Sequence, residues 1–491
     1  MMGSRKKIVV IGLCGASFDI INKLIEEDKL PTIEELIKDG VVGLLKSEFP
    51  PITPVNWASF MTGKNPGKHG IFDYEIISRD GNKKVVDSTC IRSKTLWKIL
   101  SDFNKKVGIV HVPLTYPPEK VNGFVVPGYV LSQEKTDTYP PELEEELKEK
   151  VPGFDKRWLR IKWYAPGREQ AFIKSMWDIT RIEEKVTLYL MKNYEWDFFI
   201  SVFFFLDEVQ HYLWKFYTDP SYSKDQIKDA IPRFYELLDS ILHNILEEVD
   251  DNTIIMVLSD HGFGPLRKIV FINHYLWDLG LLKLKRSIPT LTRYLSSKLK
   301  SMLKLPFDYP RLLRLSLSDV DFKRTVAYST GYVGKIYINK SLVKTEEICR
   351  VVRDYIIAKL QELKDPESGI KLVSKILKKE DLYHGSHVDE APDLLFEMMN
   401  LSYITRGGGA SGGGSIEFGF DLNTITAPPF NSQSGWHREE GFLIIKGAGI
   451  KKGVKIEKVS IRDLAPTILY LLGVPIPSDM DGRVLQEIFE C

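Results

Sequence analysis

Three apolar runs in this chain each lead into a side chain able to bind a metal ion. Residues 8–13 run into Cys14, residues 198–206 into Asp207, and residues 253–258 into Ser259-Asp260-His261. Apolar positions in these runs are nearly continuous instead of alternating. That pattern predicts strands covered on both faces, as in a parallel α/β sheet. Residues 17–38 and 229–248 have helical periodicity and predict flanking helices. A further apolar run, 441–445, follows His437 and predicts another strand. In open α/β sheets ligands gather outside the carboxyl ends of the strands. Here those ends carry the acids and histidines.

Two stretches break the rhythm. Residues 136–185 are rich in charge, Trp and Pro and predict a helical insertion. Residues 283–314 are basic and amphipathic, with acid only at Asp308. They predict a helical cap with a solvated basic face, or else a phosphate-attracting lid or a membrane-surface helix. The RGGGASGGGS tract at 406–415 predicts a flexible loop, on the surface or as a flap over a site. The expected organisation is a catalytic core in three parts (1–135, 191–282, 425–491). It is interrupted by a helical insertion (136–190), a basic helical cap (283–325) and a small accessory region with the Gly-rich loop (326–424).

Composition narrows the field. A chain of 491 residues with 43% hydrophobic and 27% charged residues can bury a large core. Its net charge of +1 gives no global field for nucleic acid, although a local site for a small anion stays compatible with it. The four cysteines, Cys14, Cys90, Cys349 and Cys491, form no C-x-x-C pair, which favours a reducing, cytoplasmic compartment. Arg5, Lys6 and Lys7 precede an apolar run too short for a signal peptide, and no stretch is long enough to predict a transmembrane helix.

The candidate chemistry rests on four motifs. Asp207-x-x-x-His211 puts two ligand types on one helical face, or at a strand end and the following turn. Asp260-His261 at a strand end would face one metal if the backbone turns there, which Gly262 permits. His437, in Gly435-Trp436-His437, supplies a further imidazole. Thr53, in Pro50-Pro51-Ile52-Thr53-Pro54-Val55-Asn56, is a nucleophile candidate, because metal coordination can activate a hydroxyl that is otherwise a poor nucleophile. Asn56, one turn later, would donate its amide to a developing phosphoryl oxygen. Each motif has a plainer alternative: a structural D-x-x-x-H, a structural histidine, or a threonine N-cap. His69, His274, His384 and His387 are assigned structural or surface roles.

The ordered set resembles the type I phosphodiesterase/nucleotide pyrophosphatase family of the alkaline phosphatase superfamily. The resemblance runs through residues 8–13, Thr53-x-x-Asn56, Thr62-Gly63, Pro66 and His69-Gly70-Ile71. It continues at Asp207-x-x-x-His211, Asp260-His261-Gly262 and Gly435-x-His437, and closes at residues 463–469 and Asp481-Gly482. It implies an alkaline-phosphatase-like, mostly parallel central sheet flanked by helices, with helical cap insertions. It also implies a two-metal hydrolase of phosphodiester or nucleotide pyrophosphate bonds. Asp207, His211 and His437 would hold one divalent ion, and Asp260, His261 and Thr53 the second. Zinc is expected, with manganese or magnesium as alternatives. Thr53 would attack phosphorus and form a covalent phospho-threonine. The expected substrate is a small phosphate ester or nucleotide; nucleic acid is not expected, and oligomeric state is left open.

One position departs from the family pattern. Where an aspartate ligand is usual after the first strand, this chain has Cys14. Three roles are open to it: a softer ligand, a weakened second site, or a bystander replaced by a nearby group such as Asp19. Related alternatives are a phosphomonoesterase and a phosphoglycerate-mutase-like enzyme. An alternative of another class is a metal-binding pseudoenzyme crippled at Cys14.

Overall fold

The structure is a computed structural model and describes residues 6–77, 83–128, 137–156, 161–221, 225–286, 313–316, 319–406, 415–418, 426–427 and 433–490. The described residues form two compact units. One comprises residues 1–71, 87–264 and 434–491, the other 72–86 and 265–433. Most of the basic stretch (287–312) and of the Gly-rich tract (407–414) lies outside the described residues.

The first unit is built on a nine-stranded sheet. Its main strands are β1 (Lys7–Leu13), β2 (Val41–Lys46), β3 (Val107–Val110), β4 (Gly123–Val126), β5 (Phe198–Phe203), β6 (Thr253–Leu258) and β7 (Glu440–Lys446). The spatial order is β2-β7-β6-β1-β5-β3-β4, with two short strands beside β2. All pairings are parallel except those made by β7. Every residue of β3, β5 and β6 is buried, which explains why their apolar positions run without alternation.

Helices α1 (Phe18–Glu26), α2 (Pro31–Asp39), α4 (Glu169–Asn193), α5 (Phe205–Thr218) and α6 (Ala230–Leu246) share one core cluster with the sheet. Helix α3 (Thr53–Thr62) packs on α7 (Leu464–Leu471), and all ten of its residues are buried. The fully buried Trp57 of α3 lies over Gly12 of β1. Burial of an aromatic this large contributes on the order of 3 kcal/mol.

Two elements differ from the sequence pattern. The helix expected over 17–38 is two helices: Asp28 adopts a left-handed φ of 56°, and Pro31 starts α2, where its missing N–H costs nothing. The apolar run 198–206 is strand only to Phe203; Phe205 already belongs to α5. An unbroken apolar run does not distinguish a strand from the first turn of a buried helix.

The second unit has its own seven-stranded sheet and apolar core. The helix Glu346–Glu362 begins at Thr345, whose hydroxyl accepts from the Ile348 N–H. Within this unit the fully buried Lys335 pairs with Asp73.

Candidate active site

Strand order gathers the candidate residues at one edge of the sheet. β6, β1 and β5 are consecutive neighbours, so their carboxyl ends set Asp260-His261, Cys14 and the start of α5 side by side. β7 runs antiparallel, so its amino end reaches that same edge. His437 stands just before it, in a short strand Gly435–Arg438 that pairs with Gly262–Pro265. β2 is also antiparallel to β7, and its carboxyl end leads to Thr53 at the start of α3.

Three histidines present the same face to this cluster. The Nδ1–H of His211 donates to the Gly435 carbonyl at 3.0 Å, that of His437 to Pro51 at 2.7 Å, and that of His261 to Gly262 at 3.1 Å. A carbonyl can only accept, so each neutral ring carries its proton on Nδ1 and turns an Nε2 lone pair inward. His211 Nε2 and His437 Nε2 lie 3.1 Å apart. Two lone pairs this close repel unless a cation lies between them. Backbone-anchored imidazoles of this kind are the usual supporting shell of a metal site.

The carboxylates complete two buried groups, Asp207-His211-His437 and Cys14-Asp260-His261, each with ligand atoms within 4.8 Å of one another. Asp207 Oδ2 is 3.4 Å from His211 Nε2, and its Oδ1 is 3.2 Å from His437 Nε2 and 3.6 Å from His261 Nε2. Asp207 therefore lies between the two groups. Among the described residues, Asp207 Oδ1 and both oxygens of the fully buried Asp260 have no hydrogen-bond donor in normal geometry. Leaving such atoms unsatisfied is costly. Burial raises the Asp207 carboxyl, yet positive charge on His211 and His437, when those rings are protonated, holds it well below the usual range. Burial pushes Asp260 up, with His261 opposing. Burial, followed by the Asp260 and Asp207 carboxylates, pushes the Cys14 thiol well above its ordinary value. A divalent cation in each group would relieve both the crowded negative charge and the orphaned oxygens, so the donor sets fit two metal ions.

The loop that carries Cys14 is tied down by residues that the sequence pattern does not mark. Gln210 Nε2 donates to the Gly15 carbonyl at 2.8 Å, and the Ser17 N–H donates to the Tyr235 hydroxyl at 3.1 Å. Gly15 has φ +77°, and a Cβ there would meet Gln210 Nε2 at 3.0 Å and Asp207 Oδ1 at 3.2 Å. Ser47 Oγ donates to the Asp260 carbonyl at 2.7 Å and steadies the neighbouring strand end. Only spatial neighbourhood reveals Gln210, Tyr235 and Ser47; nothing in their spacing does.

Thr53 is buried at the first turn of α3, and its hydroxyl draws the Cys14 thiol down against the larger effect of burial. The N-cap is Ile52, so the threonine N-cap alternative does not describe this helix. Asn56 Oδ1 accepts the Glu48 N–H at 2.8 Å. That bond fixes the amide orientation, and the fully buried Nδ2 has no acceptor among the described residues. The far end of α3 is held by the C-terminal Asp481-Gly482. Both N–H groups donate to the Gly63 carbonyl, at 2.9 and 3.1 Å, and Asp481 accepts from the Asn65 N–H at 2.8 Å.

Other candidates fall elsewhere. Asp19 is exposed on α1 and absent from both ligand groups. Gly262 does not need a left-handed backbone; a Cβ there would lie 2.2 Å from the Glu440 carbonyl oxygen, so close strand approach is what requires glycine. His69 is buried, 2.9 Å from Ser59 Oγ. His274 is buried beside Trp277, and His387 bonds Glu390.

A family model for type I phosphodiesterase / nucleotide pyrophosphatase matches residues 8–412. The chain belongs to this family. The match ends before His437, which joins the family's other candidate ligands through the sheet. No curated protein matches the chain. Solved structures similar in fold include phosphonoacetate hydrolase from Sinorhizobium meliloti 1021, with TM-score 0.57, 14% identity and 96% of each chain covered. Human ectonucleotide pyrophosphatase / phosphodiesterase 5 has TM-score 0.52 and 12% identity, covering 99% of this chain and 100% of that one. Alkaline phosphatase PafA has TM-score 0.59 and 14% identity, with 99% of each chain covered. The family is one of phosphoric ester hydrolases of the phosphodiesterase/pyrophosphatase type, and the fold is alkaline-phosphatase-like. Among the described residues, no helix of this family member is long and apolar enough to cross a membrane.

Proposed function

We propose that the chain hydrolyses small phosphodiesters or nucleotide pyrophosphates, with Thr53 as nucleophile and two divalent ions as cofactors. The observation that carries this is the inward convergence of three Nε2 lone pairs and two carboxylates beside the Thr53 hydroxyl. Asp207, His211 and His437 would hold one ion; Cys14, Asp260, His261 and Thr53 would hold the other. Zinc suits these N, O and S donors best. The ions would lower the pKa of hydroxyl or water and neutralise phosphoryl oxygens.

The protein's own groups do the rest. Thr53 Oγ, its proton given up to water, attacks phosphorus in line; its O–P bond forms as the bond to the leaving oxygen breaks. The leaving oxygen takes a proton from water. A water molecule then attacks the phospho-threonine from the opposite side, restoring the Thr53 hydroxyl and releasing the second product. The Asn56 Nδ2–H would donate to a non-bridging oxygen, and the α3 N-terminus favours the negative charge. A relative supports the nucleophile assignment: murine ectonucleotide pyrophosphatase / phosphodiesterase 5 is described as inactive with a threonine-to-alanine change, in complex with AMP. The scattered cysteines suit a reducing compartment such as the cytoplasm.

The test is to quench a reaction of the zinc-loaded protein with an aryl phosphodiester in acid and map the adduct by mass spectrometry. A phosphoryl-ester adduct on Thr53 is expected. An adduct on another residue, or turnover of only the matching monoester, would overturn the assignment.

A further inference from the structure

We infer that the two metal positions are chemically unequal, and that the one bounded by Cys14, Asp260 and His261 selects thiophilic ions (zinc, cobalt, cadmium) over manganese and magnesium. This rests on the proposed two-metal site. The other position offers only nitrogen and oxygen donors from Asp207, His211 and His437.

A buried cysteine is ordinarily a small apolar filler. Cys14 has the wrong neighbours for that role. It is fully buried, yet its Sγ is 3.8 Å from His261 Nε2 and within 4.8 Å of an Asp260 carboxylate oxygen. Asp260 is itself fully buried, with neither oxygen given a hydrogen-bond donor in normal geometry among the described residues. Ligand atoms around a tetrahedral ion bound at about 2.0–2.3 Å lie roughly 3–4 Å apart. The Cys14–His261 separation falls in that range.

The thiol is also held in place. The Cys14 N–H donates to the Phe203 carbonyl at 3.2 Å. Gln210 and Tyr235 fasten Gly15 and Ser17 just beyond it, so the backbone that carries the thiol is fixed at the end of β1. A thiolate is a soft donor that favours zinc and its congeners, whereas magnesium and manganese favour oxygen. One sulfur among the donors is therefore enough to bias this position more strongly than the other, whose two imidazoles already favour zinc over magnesium and manganese.

The experiment is a cobalt(II) titration of metal-free, full-length protein. Bound equivalents are counted by equilibrium dialysis, and the near-ultraviolet thiolate-to-cobalt charge-transfer band is recorded. Two equivalents and a charge-transfer band are expected. Cys14→Ser should lose the band and keep the ion at the Asp207 position. Cys14→Asp should bind two equivalents without the band. It should also lower the zinc-over-manganese preference of one equivalent by at least roughly tenfold, the scale on which even outer partners alter metal affinity. Two equivalents with the same spectrum in wild type and Cys14→Ser would overturn the inference and leave the two-metal site standing. Failure to bind cobalt at all would overturn both.

Discussion

His211 and His437 meet Nε2 to Nε2 at 3.1 Å, while the Nδ1–H of each ring is committed to a backbone carbonyl, Gly435 and Pro51. Two neutral imidazoles held this way are mutually repulsive in the protein alone and attractive around a cation. Folding therefore assembles a site whose natural complement is a metal ion.

That relationship predicts a metal-dependent stability. Zinc at a hundredfold excess over its dissociation constant should stabilise the chain by about 2.7 kcal/mol per site. Scanning calorimetry with zinc or with a chelator measures it. His437→Ala should lose one bound equivalent and a large part of the zinc-induced rise in Tm. An unchanged Tm between chelator and zinc would count against the site.

Gly15→Ala should be damaging for two reasons. The left-handed backbone costs about 1–2 kcal/mol for a residue with a Cβ. The new Cβ would also press on Gln210 and Asp207. The expected result is a lower Tm together with reduced metal content. Tyr235→Phe is the milder version: it leaves the buried Ser17 N–H unpaired, at about 1–3 kcal/mol. Urea unfolding of both variants measures the difference.

Asn56→Asp separates two roles of one side chain. The variant keeps an oxygen to accept the Glu48 N–H but loses the Nδ2 donor. If the donor stabilises a phosphoryl oxygen, kcat should fall at least about a hundredfold, with the added carboxylate deepening the loss and lowering stability. Full activity in Asn56→Asp would make the residue a structural brace only.

Asp481→Ala should destabilise the chain by about 1–3 kcal/mol, because it strips the Asn65 N–H and Lys68 of a mostly buried carboxylate. It should also lower kcat, since the same turn holds the end of α3. Asp481→Asn should lose only the ion pair with Lys68 and cost less. Denaturant unfolding alongside steady-state kinetics tests both statements.

Much of the sheet was legible in the sequence, because strands buried on both faces leave unbroken apolar runs: residues 8–13 and 253–258 lie in β1 and β6. Asp207 and His211 were legible as a pair because helical spacing alone puts them on one face. The join between Phe203 and α5 was not, since apolar content is the same on both sides of it. The way His437 reaches the other ligands was hidden as well. It depends on β7 running antiparallel between β2 and β6, a pairing that no local pattern encodes. Gln210, Tyr235 and Ser47 act through contacts across the sheet edge, and their residue types carry no signal of it.

The central claim is that Thr53 is the nucleophile of a two-metal site. The most direct measurement compares wild type and Thr53→Ala, with metal content and turnover of an aryl phosphodiester determined on the same zinc-loaded samples. The account predicts two bound ions in wild type, little metal loss in the variant, and turnover in wild type alone. Turnover by Thr53→Ala at the wild-type rate would contradict it.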